Sequence, residues 1–318
     1  MWRLLLSLTL FAQLDVKPMR ETATEPHQTD DPAIWFDKRD PSKSLILGTV
    51  KMAAPNGAIS VYRLDGTRLM RIPNVDRPNN IDVAYSVPVG NRTVDIAVAT
   101  ERNRNRLRVF EVIPGVGLKD LADIPVFDQP MGIALYTRPS DKALFAIVSR
   151  KSGPSGTYLH QYQLAANGAG RLTGRLVRAF GNYSGTKEIE AVAVDHERGH
   201  IYYSDEGAGI RKYHADPAHP DAARQLALFA TSGWQGDREG IAIHAGFIVA
   251  TDQRPLNSVF HVFHRDSLRE IGTFRVGADT TDGIDISPNG LFVAMNNSRN
   301  NFILADWSAI ARALRLQP

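Results

Sequence analysis

The feature that most restricts what this chain can fold into is a pattern that recurs six times. A polar or special residue opens each copy, and alternating apolar positions follow: Asp31-PAIW, Asn80-IDVAY, Met131-GIALY, Glu190-AVAVD, Glu239-GIAIH and Asp282-GIDIS. Successive copies begin 43 to 59 residues apart, which is the period of propeller blades. A second apolar run follows each opening: LILGTVK, DIAVATER, LFAIVSRK, IYYSDE, FIVATDQ and LFVAMNN. Third runs follow in turn: ISVYRL, LRVFEV, YLHQYQL, IRKYH, VFHVFHR and NFILADW. Period-two alternation rich in β-branched and aromatic residues reads as strands. The Leu-Asp-Gly and Pro-Asn-Gly triplets between runs read as tight turns. A sandwich does not require such a repeat. The expectation is an all-β chain: a single six-bladed β-propeller over residues 21–318, with a short C-terminal helix at about Ser308–Leu316 and no linker dividing it.

The chain opens differently. Met1-Trp-Arg3 precedes an apolar run that reaches Ala12. One basic residue followed by a short apolar run fits a signal peptide, cleaved after Ala12, although Leu10 stands where a small residue is preferred. Residues 1–20 are therefore set aside from the fold, and the protein is expected to be exported, periplasmic or secreted. No stretch approaches the ~20 apolar residues of a membrane span. The 318 residues include no Cys, which excludes disulfides, thiolate metal sites and Cys nucleophiles. With 37 Lys+Arg against 34 Asp+Glu, the small basic surplus suits an anionic small molecule and does not argue for nucleic acid. A monomer is expected.

In a propeller the inner strands line a central axis, so equivalent positions of the six blades form rings. The first ring reads Asp31, Asn80, Met131, Glu190, Glu239 and Asp282, with Asp30 and Asp237 beside it. A lone acid at a strand start often does no more than bond turn amides. Several at equivalent positions repel one another, and a hard divalent cation removes that cost. Oxygen ligands without His or Cys favour Ca2+ over zinc. The second ring, at the ends of the second runs, reads Lys51, Arg102, Lys151, Glu206, Gln253 and Asn296–Asn297. Cations occupy blades one to three and oxygen donors occupy blades four to six. Such a division suits a phosphate held by metal on one side and by Lys and Arg on the other. Arg104 extends the basic side.

Motifs for a catalytic nucleophile are missing: there is no G-x-S-x-G, no H-E-x-x-H and no P-loop. The nine His residues show no metal-ligand spacing. His261 and His264 are three apart on one run and are expected to be blade-surface residues.

These residues resemble a known family. Asp30-Asp-Pro-Ala-Ile-Trp35 is similar to the D-D-P-A-I-W segment of the β-propeller phytases. Asn79-Asn-Ile-Asp82, Val177-Arg-Ala-Phe180, Ser204-Asp-Glu206, Asp237-Arg-Glu-Gly240, Thr281-Asp-Gly-Ile-Asp285 and Gly290-Leu-Phe-Val-Ala294 follow in the family's order. The resemblance spans roughly residues 25–310. It implies a calcium-dependent phosphoric monoester hydrolase acting on inositol hexakisphosphate, with several Ca2+ ions. It also implies calcium ligands at Asp30, Glu190, Glu206, Asp237, Glu239 and Gln253, with Asp31 and Asp282 in the same region. Phosphate contacts are implied for Lys51, Arg102 and Lys151.

The chain departs from the family at four places. Met131 stands where a Tyr is common, Thr280-Thr-Asp-Gly283 replaces D-T-D-G, Ala294-Met-Asn-Asn297 loses a carboxylate, and Ile189-Glu-Ala191 replaces T-E-G. The expected chemistry is direct attack of metal-activated water on phosphorus, with Lys51, Arg102, Lys151, Glu190 and Glu206 as the catalytic groups. Two alternatives remain open from the sequence: a calcium-dependent propeller lactonase or esterase, and a non-catalytic propeller that binds a polyanion or a protein.

Overall fold

The computed structural model describes residues 14–316, so the apolar opening run and the cut after Ala12 lie outside the described residues. The chain forms six antiparallel sheets arranged as blades of one propeller, as the repeat predicts. Blade 1 comprises Thr29–Trp35, Leu45–Val50, Ala58–Arg63 and Arg68–Pro73, in that order from the axis outward. Blades 2 to 5 repeat this plan, with inner strands Pro78–Val89, Pro130–Thr137, Val192–Asp195 and Asp237–His244.

Blade 6 is built from both ends of the chain. Ile284–Ile286, Leu291–Asn296 and Asn301–Asp306 supply three strands, and the N-terminal strand Arg20–Glu21 supplies the outermost, with Arg20 opposite Leu304. Leu14–Asp15 adds a fifth, parallel strand to blade 5, beside Phe274 and Arg275. Val16 is buried in the same core. Residues 14–20 therefore belong to the folded ring, which corrects their exclusion from it. A strand of two residues carries too little alternation to be read from sequence.

Cores form where adjacent blades face each other. Between blades 5 and 6, Phe260, Phe274 and Phe292 meet in edge and tilted contacts with ring centroids 5.1 to 5.4 Å apart. Each such side chain contributes about 2 kcal/mol through burial. The C-terminal helix Trp307–Leu314 starts at Asp306, whose carboxylate accepts from Ser308 N–H, and buries Trp307 and Ile310 against this core. Between blades 6 and 1, Gly48 leaves room for Phe302: a Cβ there would lie 2.3 Å from its ring. His261 departs from expectation. It is 3% exposed, stacks on Trp234 at 4.2 Å and meets Glu270 at 2.7 Å. Its position on the blade 5 strand Val259–His264 sets it beneath the loop that carries Trp234, whereas His264 is exposed.

A repeated side-chain bond fixes each blade to the next. Thr49 Oγ1 donates to Asn79 O at 2.6 Å, Thr100 Oγ1 to Met131 O at 2.6 Å, Ser149 Oγ to Ile189 O at 2.6 Å, and Ser204 Oγ to Glu239 O at 3.2 Å. Each hydroxyl lies two residues before a member of the second ring. Backbone bonds take over where the hydroxyl is missing or unused: Gly240 N–H donates to Asp282 O, and Gly283 N–H to Asp30 O.

Candidate active site

The inner-strand starts and second-strand ends meet at one end of the axis. Glu190, Glu206 and Glu239 bring carboxylate oxygens within 4.8 Å of one another, and all three side chains are buried. Asp30, Asp31, Asn80, Glu190, Glu239 and Asp282 line a cavity of about 10 Å3 there, the room one small ion or water needs. Gln253 Nε2 donates to Asp282 Oδ1 at 2.5 Å, which ties blade 5 to blade 6.

The cations stand inside this cluster, not across a gap from it. Lys51 Nζ lies 2.8 Å from both Asp30 Oδ1 and Glu190 Oε1. Arg102 Nη2 reaches the same Glu190 oxygen at 3.2 Å, and Asn79 Nδ2 also donates to it. Burial opposes ionisation of Glu190, but Lys51 and Arg102 outweigh it and hold the carboxyl below its usual range. Burial likewise opposes the Lys51 charge, and Asp30, Glu190 and Asp282 override it and hold the ammonium well above its usual value. Asp30 shares Lys51 yet is raised, because burial is the larger influence and Glu190 adds repulsion. Of the two partners Glu190 keeps the charge, since it alone has a second cation, and its bond from Asn79 Nδ2 is closer than the 3.5 Å that separates Asn79 from Asp30.

The remaining acids have no ion-pair partner among the described residues. Burial, then Glu190 and Glu206, push Glu239 well up. Burial, then Asp30, does the same to Asp282. Burial, then Glu190 and Glu188, push Glu206 up to about 7. A pocket that crowds acids at this cost, in oxygen donors only, fits a hard divalent cation. Asn80 Oδ1 supports the fit, being a buried carbonyl oxygen of the pocket lining with no hydrogen-bond partner.

Other residues named from sequence lie around this centre. Lys151 pairs with Glu188, and Asp237 with Lys187, so both stand at the rim. Arg104 is held by Glu101 at 3.3 Å and by Asn74, and makes no ion pair with the central acids among the described residues. Asp31 accepts from Ile81 N–H at 3.0 Å through one oxygen, the amide-bonding role that a strand-start acid often takes. Met131 is fully buried. Asn296, where the family carries its acidic segment, accepts from Asp279 N–H and donates to Asn301.

Several contributors were missed by the sequence reading. Asn79 stands one place before the ring position Asn80, and no repeat marks it, yet its amide reaches Glu190. Lys187 and Glu188 are rim partners that no repeat position marks. Asp82 and Asp285 face the axial cavity below the acids, about 220 Å3 in volume. There Asp82 accepts from Leu135 N–H and Asp285 from Ile34 N–H, both at 2.7 Å, which ties blade 2 to 3 and blade 6 to 1. The Ser and Thr staples did carry a signal, since a hydroxyl stands two residues before the ring position in five of the six second runs.

A closed ring of six blades that sets buried carboxylates against ammonium and guanidinium groups on its axis has the donors to hold a metal ion and an anion. Comparison with known proteins places it further. The family model described as Phytase matches residues 9–317, and the chain belongs to that family and is a phosphoric monoester hydrolase. It is 28% identical to a 3-phytase of Bacillus subtilis (strain 168) over 326 aligned positions, covering 91% of this chain and 82% of that relative. A functionally unknown protein from Desulfotomaculum acetoxidans DSM 771 shares the fold, with a TM-score of 0.52 and 12% identity over 83% of this chain and 75% of that one.

Proposed function

We propose that this chain is an exported, monomeric, calcium-dependent phosphatase that removes phosphate from phytate or a related inositol phosphate. One observation carries the reading: a single oxygen of Glu190 is shared by Lys51, Arg102 and Asn79 at the edge of a pocket of acids that lack ion-pair partners. The family membership and the 3-phytase relative support the substrate. Asp30, Glu190, Glu206, Glu239, Asp282 and Gln253 would hold calcium, with Asp237 at the rim. Bound there, calcium supplies a Lewis acid for a phosphate oxygen and makes a coordinated water more acidic.

The chain's own residues do the rest. Lys51 and Arg102 transfer donors from Glu190 to the phosphate oxygens as charge builds on them. Lys151, once drawn from Glu188, steadies the leaving alkoxide or a neighbouring phosphate. The hydroxyl staples and Asn79 hold Glu190 and the cations in register, so little reorganisation accompanies the reaction. Water is the nucleophile: its oxygen bonds to phosphorus in line as the ester P–O bond breaks, the proton it loses ends on the departing alkoxide, and no covalent enzyme intermediate forms. Arg3 followed by the apolar run that reaches Ala12 supports export. Among the described residues no helix is long and apolar enough to cross a membrane.

The test is phosphate release from phytate with calcium, with chelator, and by Glu190→Gln and Lys151→Ala. Calcium-dependent release, falling by about a hundredfold or more in Glu190→Gln, supports the reading. Release that survives chelation, or is unchanged in both variants, overturns it.

A further inference from the structure

We infer that Arg77 is a further phosphate-binding residue of this site, a role that rests on the inositol phosphate reading above and adds a fourth cation to it. The loop between blades 1 and 2 carries Arg77 between the two cation-bearing strand ends. Its N–H donates to Met52 O at 2.8 Å, next to Lys51, and its carbonyl accepts from Arg102 N–H at 3.1 Å. The preceding residue is fixed as well. Asp76 accepts from Ala54 N–H at 3.0 Å and from Asn103 Nδ2 at 2.8 Å, while its own N–H donates to Glu101 at 2.6 Å.

Two further observations concern Arg77 itself. Its φ is +55°, a left-handed conformation unusual for Arg and held immediately before Pro78. Backbone strain of this kind persists only where the surroundings impose it, and it gathers at functional sites. Its charge is also unspent. Lys51 is paired with Asp30 and Glu190, Arg102 with Glu190, Lys151 with Glu188, Arg104 with Glu101 and Lys187 with Asp237. Among the described residues no carboxylate lies within ion-pair distance of Arg77, although its side chain is only half-exposed. The bond from Arg102 N–H to its carbonyl keeps the two arginines adjacent in space.

Two arginines held adjacent by their backbones can share one anion, and a phosphate with several oxygens serves both. Arg77 can take it without breaking an ion pair, as Lys51, Arg102 and Lys151 cannot. Arg77 therefore makes the entry contact, and the paired cations follow once the anion is in place.

The test measures binding as well as turnover, on the full chain with calcium held constant. Calorimetry with myo-inositol hexasulfate, a non-hydrolysable polyanion, is compared for wild type, Arg77→Gln, Arg77→Lys and Arg63→Gln, the last an exposed arginine of blade 1. Gln accepts the left-handed backbone no worse than Arg, so the fold is retained. Losing one charged contact weakens binding by about tenfold or more. The expected result for Arg77→Gln is that loss, an equal rise in KM for phytate with kcat nearly unchanged, and a shallower salt dependence. Arg77→Lys recovers most of the affinity, and Arg63→Gln matches wild type. Wild-type affinity in Arg77→Gln overturns the inference, as does a loss that Arg77→Lys fails to reduce. If wild type binds the hexasulfate through Arg77 but releases no phosphate from phytate, the hydrolytic reading fails and Arg77 stands as an anion-binding residue. If wild type does not bind the hexasulfate, both are overturned.

Discussion

Ser149 donates its hydroxyl hydrogen to the carbonyl of Ile189 at 2.6 Å, and Ile189 is the residue before Glu190. The second strand of blade 3 thus sets the height of the carboxylate that gathers Lys51 and Arg102. Thr49, Thr100 and Ser204 repeat the contact around the ring. Removing the hydroxyl leaves a buried carbonyl unsatisfied, at a cost of about 1 to 3 kcal/mol. Ser149→Ala should lower the urea midpoint by a corresponding amount and also lower kcat, since Glu190 loses its register. A variant of lowered stability and unchanged kcat would show that the staple serves the fold alone.

Lys51 acts as the counter-cation of Asp30 and Glu190. Replacing it with Ala leaves two buried carboxylates facing each other and removes a phosphate donor. In calcium-free buffer, Lys51→Ala is expected to melt several degrees below wild type. Added calcium should then raise its melting temperature by more than it raises that of wild type, because a ligand stabilises the state it binds. Scanning calorimetry at matched calcium concentrations measures the difference, and equal calcium increments in both proteins would contradict it.

Lys187 occupies Asp237 in the same manner at the rim. Its backbone is left-handed, with φ of +60°. An ammonium paired with a prospective ligand competes with the metal for it. Lys187→Ala is expected to tighten calcium binding severalfold in a calorimetric titration, most strongly at low salt, where the ion pair is least screened. Unchanged affinity would remove Asp237 from the ligand set or Lys187 from competition for it.

Asp82 and Asp285 are half-buried on the axis, away from the central cations. Burial raises Asp82 from the usual 3.8 to about 7, against the bonds it accepts from Leu135 and Val83 N–H. Burial likewise raises Asp285 to about 6. Between about pH 4 and 7 the folded chain keeps a proton on Asp82 that the unfolded chain has released. The contribution of this group to stability therefore falls as pH rises through that window and levels off above it. Infrared difference spectra between folded wild type and Asp82→Asn should show a protonated carboxylic acid band near pH 5 that wild type alone carries and that is lost by about pH 8. A spectrum with no such band near pH 5 would contradict the assignment.

The six-blade ring was legible because blades repeat and strands alternate, and both survive in the residue types themselves. Equivalent positions converge on the axis, so the two rings could be drawn before any coordinate was known. Height along that axis is harder to read. Asp30 and Asp31 are neighbours on one strand, and successive side chains face opposite ways. One reaches Lys51 and the other Ile81 N–H. The sign pattern around the second ring suggested cations opposite oxygens, yet Lys51 and Arg102 lie on the carboxylate itself. Such pairing depends on side-chain reach, which spacing does not encode. Arg77 escaped notice because it belongs to an inter-blade loop and not to any repeated position.

The seam in blade 6 bears on the order in which the molecule forms. Arg20 meets Leu304, so the join requires nearly the whole chain to be present. Blades 1 to 5 can stack as an open arc while the chain is still emerging, but the arc cannot become a circle until the residues near 304 are available. Contacts this distant in sequence form slowly. Glu190, Glu206 and Glu239 belong to neighbouring blades 4 and 5 and can meet within the arc, but Asp30 of blade 1 and Asp282 of blade 6 join them only at that final step, so the most crowded form of the cluster assembles last.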